Sequence, residues 1–281
     1  SAVKTLLEHK VLEEIQKEVY RIDEESKVEE CKITLNEEQS YAFNEVKKSL
    51  NEYKPFLLHG VTGSGKTEVY MHIIKEVLKE GKEAIVLVPE ISLTPKMVNL
   101  IKKRFRKEIA ILQNKISNGE KYDERRKIER KEVSIVIGAR SAIFAPFTNL
   151  GIIIIDEEHT TTYKQENIPR YNAIDIALWR CKRYNCPLIL GSATPSIESY
   201  TRAKSGIYTL LTMKERVNKN LPKVKLIDMR SELKKGNRII SELLYESIKE
   251  RLEKKEQIIL LLNRRGYTTV MNCHDCGYTY K

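Results

Sequence analysis

Between Gly60 and Thr67 the chain reads Gly-Val-Thr-Gly-Ser-Gly-Lys-Thr, directly after the apolar run Phe56-Leu57-Leu58. A strand that stops at a glycine-rich loop and restarts as a helix leaves bare backbone N–H groups aimed at one spot, and phosphate binds there. Gly60, Gly63 and Gly65, with Ser64 between the last two, allow a close backbone approach that a Cβ obstructs. Lys66 has the reach for β- and γ-phosphates, and the Thr67 hydroxyl can ligate Mg²⁺. The stretch from Glu68 to Leu78 carries an apolar face at helical spacing, so the helix the loop requires is present. A glycine-rich turn without a ligand would need neither that spacing nor those flanks.

A second chemical signal distinguishes a motor from other phosphate binders. Gly151-Ile152-Ile153-Ile154-Ile155 is wholly apolar and β-branched, the pattern of a strand buried on both faces of a parallel sheet. It ends in Asp156-Glu157-Glu158-His159. A carboxylate there can hold Mg²⁺ opposite the phosphate loop, and its neighbour can orient and deprotonate an attacking water. Acidic pairs are often only solvated strand ends, but four buried isoleucines put these acids at the sheet edge where ligands bind.

These groups need a scaffold, and the sequence supplies an α/β one. Phe56–Leu58, Ala84–Val88, Ser134–Ile137, Gly151–Ile155 and Pro187–Leu190 read as strands, with helical patterns such as Met71–Leu78 and Ile174–Arg183 between most of them. That alternation implies right-handed βαβ units and a parallel sheet covered by helices. A later apolar run, Gln257–Leu262, follows an amphipathic helix over Ser241–Lys254 and marks the start of a second domain, with the linker near Asn218–Pro222. The 281 residues suffice for one large domain or two smaller ones. Lys+Arg number 50 against Asp+Glu 39, a surplus that favours a polyanionic partner without dictating the fold. No apolar run approaches the roughly 20 residues that span a bilayer, and the first residues are not those of a signal peptide. Five scattered cysteines argue for a reducing compartment, and Cys31, Cys181 and Cys186 lack partners at metal spacing.

Leu190-Gly191-Ser192-Ala193-Thr194-Pro195-Ser196 follows another buried strand and resembles the Ser-Ala-Thr motif that links nucleotide and nucleic-acid sites in superfamily 2 helicases. The resemblance narrows to the PriA replication-restart helicases. It is carried by Leu87-Val88-Pro89-Glu90-Ile91-Ser92-Leu93-Thr94-Pro95, by Gly138-Ala139-Arg140-Ser141 through Phe147, and by Tyr163-Lys164-Gln165 with Arg170-Tyr171-Asn172-Ala173. Leu262-Asn263-Arg264-Arg265-Gly266-Tyr267 and Cys273-His274-Asp275-Cys276 extend it, so that it covers the chain from Thr34 onward. The chain departs from that pattern at Ile174, Lys96 and Ala139, where Arg, Gln and Thr are usual, and at Gln113-Asn114, where His-Ser is usual. Another superfamily 2 motor, such as a restriction-type subunit, would not carry the cysteine pair after Asn-Arg-Arg-Gly-Tyr.

The resemblance implies a RecA-like lobe over residues 32–217, the start of a second such lobe over 218–272, and half a zinc module over 273–281. Residues 1–31 resemble the tail of a winged-helix domain with its linker, though an unrelated capping helix fits as well. It implies ATP and Mg²⁺ as cofactors, with Lys66, Asp156 and Glu157 catalytic, Thr67 and Asp156 on the metal, and His159, Ser192, Ala193 and Thr194 coupling nucleotide to DNA. Gln39 stands where such helicases sense adenine; with Asn36 it also reads as a capping box, and both roles are compatible. Arg140, Tyr163, Lys164, Gln165 and Tyr171 are the candidate DNA contacts, the aromatics by stacking. Arg140 can equally be an ordinary surface or salt-bridging arginine, and Trp179 reads as a residue packed on its own domain. Cys273 and Cys276 would give two of four Zn²⁺ ligands, the rest lying past Lys281 in the complete protein.

The function implied is an ATP-dependent 3′-to-5′ DNA helicase that restarts stalled forks in the bacterial cytoplasm, at the nucleoid. Its partners would be forked and single-stranded DNA, primosome and helicase-loading proteins, and single-stranded DNA-binding protein, with no membrane. The piece in hand is expected to bind ATP and hydrolyse it poorly. The alternative is a non-catalytic fork-binding scaffold that keeps ATP as a structural ligand.

Overall fold

A computed structural model of the chain describes residues 11, 34–89, 101–105, 109–112, 117–216, 223–234, 240–261, 271–272 and 279–280. The chain divides into two compact units, Ser1–Asn220 and Leu221–Lys281. The first is built on seven strands: β1 (Pro55–Gly60), β2 (Glu83–Leu87), β3 (Ile109–Leu112), β4 (Ile135–Gly138), β5 (Leu150–Ile155), β6 (Leu188–Ser192) and β7 (Thr209–Met213). They form one sheet in the order β3-β4-β2-β5-β6-β1-β7, and every neighbouring pair runs parallel. Parallel strands require crossovers, and the helices that supply them cover both faces.

Period-two alternation divides the core between those faces. Phe56, Leu58, Ala84, Val86, Ile152 and Ile154 pack with α1 (Glu37–Lys47), α2 (Lys66–Lys79) and the helical segment 101–105. Leu57, Ile85, Leu87, Ile153 and Ile155 pack on the opposite face with α4 (Ala173–Tyr184) and Ala203 of α5 (Ile197–Lys204). All four isoleucines of β5 are fully buried, as the unbroken apolar run predicts. The α3 helix (Asn118–Glu129) begins at a capping box in which Ser117 and Glu120 satisfy each other's amides.

Arg180 of α4 fixes the segment after β4. Its buried guanidinium donates to the carbonyls of Ile143, Ala145 (3.0 Å) and Phe147 (3.4 Å), closing backbone acceptors that lie outside any ladder. Cys181 and Cys186 are buried, and burial above all pushes the Cys181 thiol up, which fits their reading as small core side chains. Trp179 does not pack as expected: it is 66% exposed, because helical spacing turns Ala177, Arg180 and Cys181 inward and leaves position 179 outside.

The second unit contains α6 (Met229–Lys234) and α7 (Glu242–Glu253), whose N-cap is Ser241, bonded to the Leu244 amide as the sequence suggests. Residues 256–261 carry no regular structure, and Ile259 and Leu261 are exposed. The expected winged-helix remnant (apart from residue 11), the linker, Lys96, Gln113-Asn114, the Leu262–Tyr267 motif, Cys273 and Cys276 all lie outside the described residues. No helix among the described residues is long and apolar enough to cross a membrane.

Because Ile154 sits in a central strand with no exposed surface, Ile154→Ala is expected to lower unfolding stability by about 2–5 kcal/mol. The midpoint of chemical denaturation measures it, and an unshifted midpoint would mean the sheet does not depend on this side chain.

Candidate active site

At the carboxyl end of β1 the phosphate loop folds back into α2. Gly63 and Gly65 take left-handed φ of 79° and 82°, and Gly65 caps the helix from that conformation. A helix starting at Lys66 leaves its first amides without intrahelical acceptors. Buried Lys66 rests its Nζ on the Gly60 carbonyl at 2.8 Å, a bond a phosphate oxygen could replace. Ser64 Oγ is buried with no hydrogen-bond partner. A Cβ on Gly60 would come within 2.6 Å of that oxygen and 3.1 Å of Lys66 Cγ, so glycine is needed for the loop to close. Gln39 donates its amide to the Ser64 carbonyl at 2.9 Å and accepts from the Asn36 amide at 2.9 Å. The capping box is therefore formed, and the same side chain is pinned against the phosphate loop.

The acidic segment leaves β5 on the same edge. Asp156 Oδ1 accepts from the Tyr70 hydroxyl at 3.0 Å, and its backbone carbonyl accepts from the Tyr163 hydroxyl at 2.6 Å. Burial, and then the charge of Glu157, raise the Asp156 carboxyl above its ordinary value; the Tyr70 hydrogen bond and Lys66 pull it partly back. Glu157 adopts a left-handed backbone, φ 48°, at the point where the strand ends. Such conformations cost about 1–3 kcal/mol and persist where surrounding bonds enforce them. Here the Glu158 amide bonds the Gly191 carbonyl and the Thr160 amide bonds the Glu157 carbonyl, both at 3.0 Å.

The candidate coupling residues come together across two strand ends. His159 Nδ1 lies 2.8 Å from Ser192 Oγ, which also accepts the Thr194 amide at 3.0 Å, with Ala193 between them. Glu157 Oε2 is 3.6 Å from the same histidine nitrogen. Glu158 carries no role in the sequence reading, yet it is buried and accepts from the Ser196 amide (2.7 Å), the Ser196 hydroxyl (3.0 Å) and the Ser199 hydroxyl (2.9 Å). It thereby joins the end of β5 to the first turn of α5. Serines following a Ser-Ala-Thr-Pro turn were the available signal for an acid that needs donors.

Arg140 donates to the carbonyls of Thr162 (3.0 Å) and Lys164 (2.8 Å) and to Gln165 Oε1 (3.0 Å), and lies 5.6 Å from the centre of the Tyr171 ring. It clamps the 160–171 loop, because several carbonyls converge where a planar fork of donors fits. Tyr163 cannot stack on a base, since its ring is buried at 2% exposure among apolar side chains. Lys164 is exposed and Tyr171 half-exposed, the latter set edge-on against exposed Phe144 with centroids 5.0 Å apart. Ala139 is buried and Ile174 packs on the core, so these departures fill apolar space.

With its pKa raised in the fold, an ionised Asp156 costs stability at pH above that folded value, and the cost vanishes as pH falls through it to below the unfolded one. In metal-free buffer Asp156→Asn is therefore expected to melt higher than wild type near neutral pH, with the gap closing in acid; a pH-independent gap would contradict the assignment. Glu158→Ala is expected to speed amide exchange across 192–199 by about tenfold or more, given the roughly 1.5–3 kcal/mol of a hydrogen bond to a charged group. Exchange at the wild-type rate would show that Glu158 does not secure this turn.

The family model described as "Type III restriction enzyme, res subunit" matches residues 32–197. The chain is 54% identical to Replication restart protein PriA of Bacillus subtilis (strain 168), over 99% of this chain and 35% of that one. It is 46% identical to Replication restart protein PriA of Chlamydia trachomatis serovar D, over 88% and 34% respectively. The chain thus spans about a third of the length of these curated relatives. A solved structure of RecG bound to a three-way DNA junction superposes with a TM-score of 0.52 at 25% identity, covering 73% of this chain and 28% of that one. The seven-stranded parallel sheet is accordingly that of a RecA-like helicase lobe, its curated relatives carry the name replication restart protein PriA, and the chain belongs to the family of the matched model.

Proposed function

We propose that the chain is the ATP-binding part of a DNA helicase of the replication-restart type, moving 3′ to 5′ and acting where forks have stalled. The observation that carries this is the meeting of three segments at one sheet edge: the loop around Lys66, the acids from Asp156 to Glu158, and the Ser192–Thr194 turn bonded to His159. A phosphate loop alone would suit many enzymes. A histidine that bonds across to a second strand's Ser-Ala-Thr turn suits a machine whose nucleotide state must be felt elsewhere. The printed names of the PriA relatives and of the junction-bound RecG structure support the DNA reading.

The residues fit ATP and Mg²⁺. The orphan Ser64 hydroxyl, the Lys66 ammonium resting on a carbonyl and the left-handed glycines form a cradle with spare hydrogen-bonding capacity. Among the described residues no cluster of three or more His, Cys, Asp or Glu could hold a metal by itself. Mg²⁺ is commonly held by one or two protein groups plus substrate phosphates. Thr67 and Asp156 would hold the ion, which supplies charge neutralisation on the phosphates. Lys66 would release the Gly60 carbonyl to reach them, and Glu157 would orient water and take its proton; Gln39, buried and with both ends of its amide held by Asn36 and Ser64, braces the phosphate loop instead of meeting adenine. Lys164, Gln165 and Tyr171, held by Arg140, would meet the DNA strand. Zn²⁺ at Cys273 and Cys276, the primosome proteins and single-stranded DNA-binding protein follow from the family likeness alone.

Saturating MgATP at about 100 times its Kd should add about 2.7 kcal/mol to stability, read as a rise in melting temperature of several degrees. Lys66→Ala should abolish that rise. Glu157→Gln should keep the rise but lower DNA-stimulated hydrolysis by about 100-fold or more, as expected for losing a general base. Hydrolysis that survives Glu157→Gln would move this residue out of the chemistry and favour nucleotide as a structural ligand.

A further inference from the structure

We infer that Tyr70 is a positioning residue for the metal-binding carboxylate of Asp156, and that position 191 is glycine so that the Tyr70 hydroxyl has room to reach it. The inference rests on the nucleotide reading above and deepens it.

Tyr70 lies one helical turn after Lys66, on the same side of α2. Its side chain is fully buried in the apolar layer between α2 and the sheet. A buried phenol needs a hydrogen-bond partner, and this one donates to Asp156 Oδ1 at 3.0 Å. The hydroxyl occupies space that an ordinary residue on β6 would fill. A Cβ at 191 would overlap it, approach Tyr70 Cζ to 2.9 Å, and lie 3.4 Å from Asp156 Oδ1. Gly191 is paired in the sheet to Leu58, where glycine weakens a strand by its entropy and its missing contacts. The closest obstacle to a side chain at 191 is the Tyr70 hydroxyl, with the ring carbon that bears it next, so the hydroxyl and the glycine are matched to one another.

The hydroxyl's effect falls on the acid. Tyr70 fixes Oδ1, Tyr163 fixes the backbone carbonyl, and the Asp156 amide bonds the Leu87 carbonyl at 2.9 Å. Oδ2 remains as the carboxylate oxygen for a cation. Mg²⁺ demands near-ideal octahedral geometry at about 2.0–2.1 Å, so a ligand that cannot swing is favoured over one that can. Because Tyr70 rides on the helix whose N-terminus faces the phosphates, the bond also sets the distance between phosphate cradle and metal ligand.

The test is a fluorescent ATP analogue titrated onto the 281-residue chain in EDTA and at increasing Mg²⁺. In wild type Mg²⁺ should tighten binding. Tyr70→Phe should leave the EDTA affinity within about twofold and the fold intact, while the Mg²⁺-dependent tightening shrinks by about tenfold or more, the usual effect of losing an outer hydrogen bond to a metal ligand. Asp156→Asn sets the floor. Undiminished tightening in Tyr70→Phe overturns the positioning role and leaves the nucleotide reading standing. A Tyr70→Phe chain that does not fold marks the hydroxyl as structural and also overturns it. A wild type that binds no analogue, or binds it without regard to Mg²⁺, overturns both. For the glycine, Gly191→Ala should lower the melting temperature more in the wild-type background than in the Tyr70→Phe background; equal losses overturn that half of the inference.

Discussion

Seven strands that all point the same way leave the fold with a single edge at which chains turn from strand to loop, and the rest of this lobe follows from that constraint. Every group with chemical potential stands on that edge because no other edge offers carboxyl ends. The sheet can run uniformly parallel only because helices bury both of its faces, and the four isoleucines of β5 show how completely they do so. The central strand thus delivers a carboxylate into a largely dehydrated place, where its charge is hard to hold and correspondingly useful to a cation.

Hydrogen bonds then convert three neighbouring strand ends into one unit. Tyr70 ties α2 to Asp156, the Glu158 amide ties β5 to Gly191, and the Glu158 side chain continues to Ser196, the N-cap of α5, and to Ser199 within it. His159 closes a parallel route to Ser192. A displacement at the phosphate loop therefore has a bonded path to α5 through Glu158, and a second path that ends at the Ser192 turn. Physical continuity of this kind is what a coupling element requires, whatever the size of the motion.

Five of the seven strands were legible in the sequence because each is an apolar run buried on both faces. The strands β3 and β7 were not: they sit at the two ends of the sheet order, and Leu112, Thr209, Leu210 and Thr212 are only partly buried, so neither gives a clear pattern. The phosphate loop, Asp156 and the Ser192 turn were legible because their spacing is dictated by backbone geometry. Tyr70 was hidden, since at helical spacing it reads as one more apolar-face residue; its hydroxyl matters only through Asp156, 86 positions away in sequence. Glu158 was hidden by its neighbours, a third acid whose donors lie some forty residues downstream. Tyr163 and Trp179 depart from expectation for a common reason: residue type announces what a side chain can do, whereas the local backbone, a short turn at Tyr163 and the helical phase at Trp179, decides where it points.

The left-handed backbone at Glu157 has a geometric consequence. Along an extended strand, successive side chains alternate between faces, so two adjacent acids would be sent to opposite sides of the sheet. A mirror-region dihedral placed between them breaks that zigzag at its last step, freeing neighbouring carboxylates to share one opening. Residues branched at Cβ tolerate this dihedral poorly, which narrows the side chains admissible at 157 before any chemistry is considered. The shape of the backbone thus screens the occupant of this position ahead of its proton.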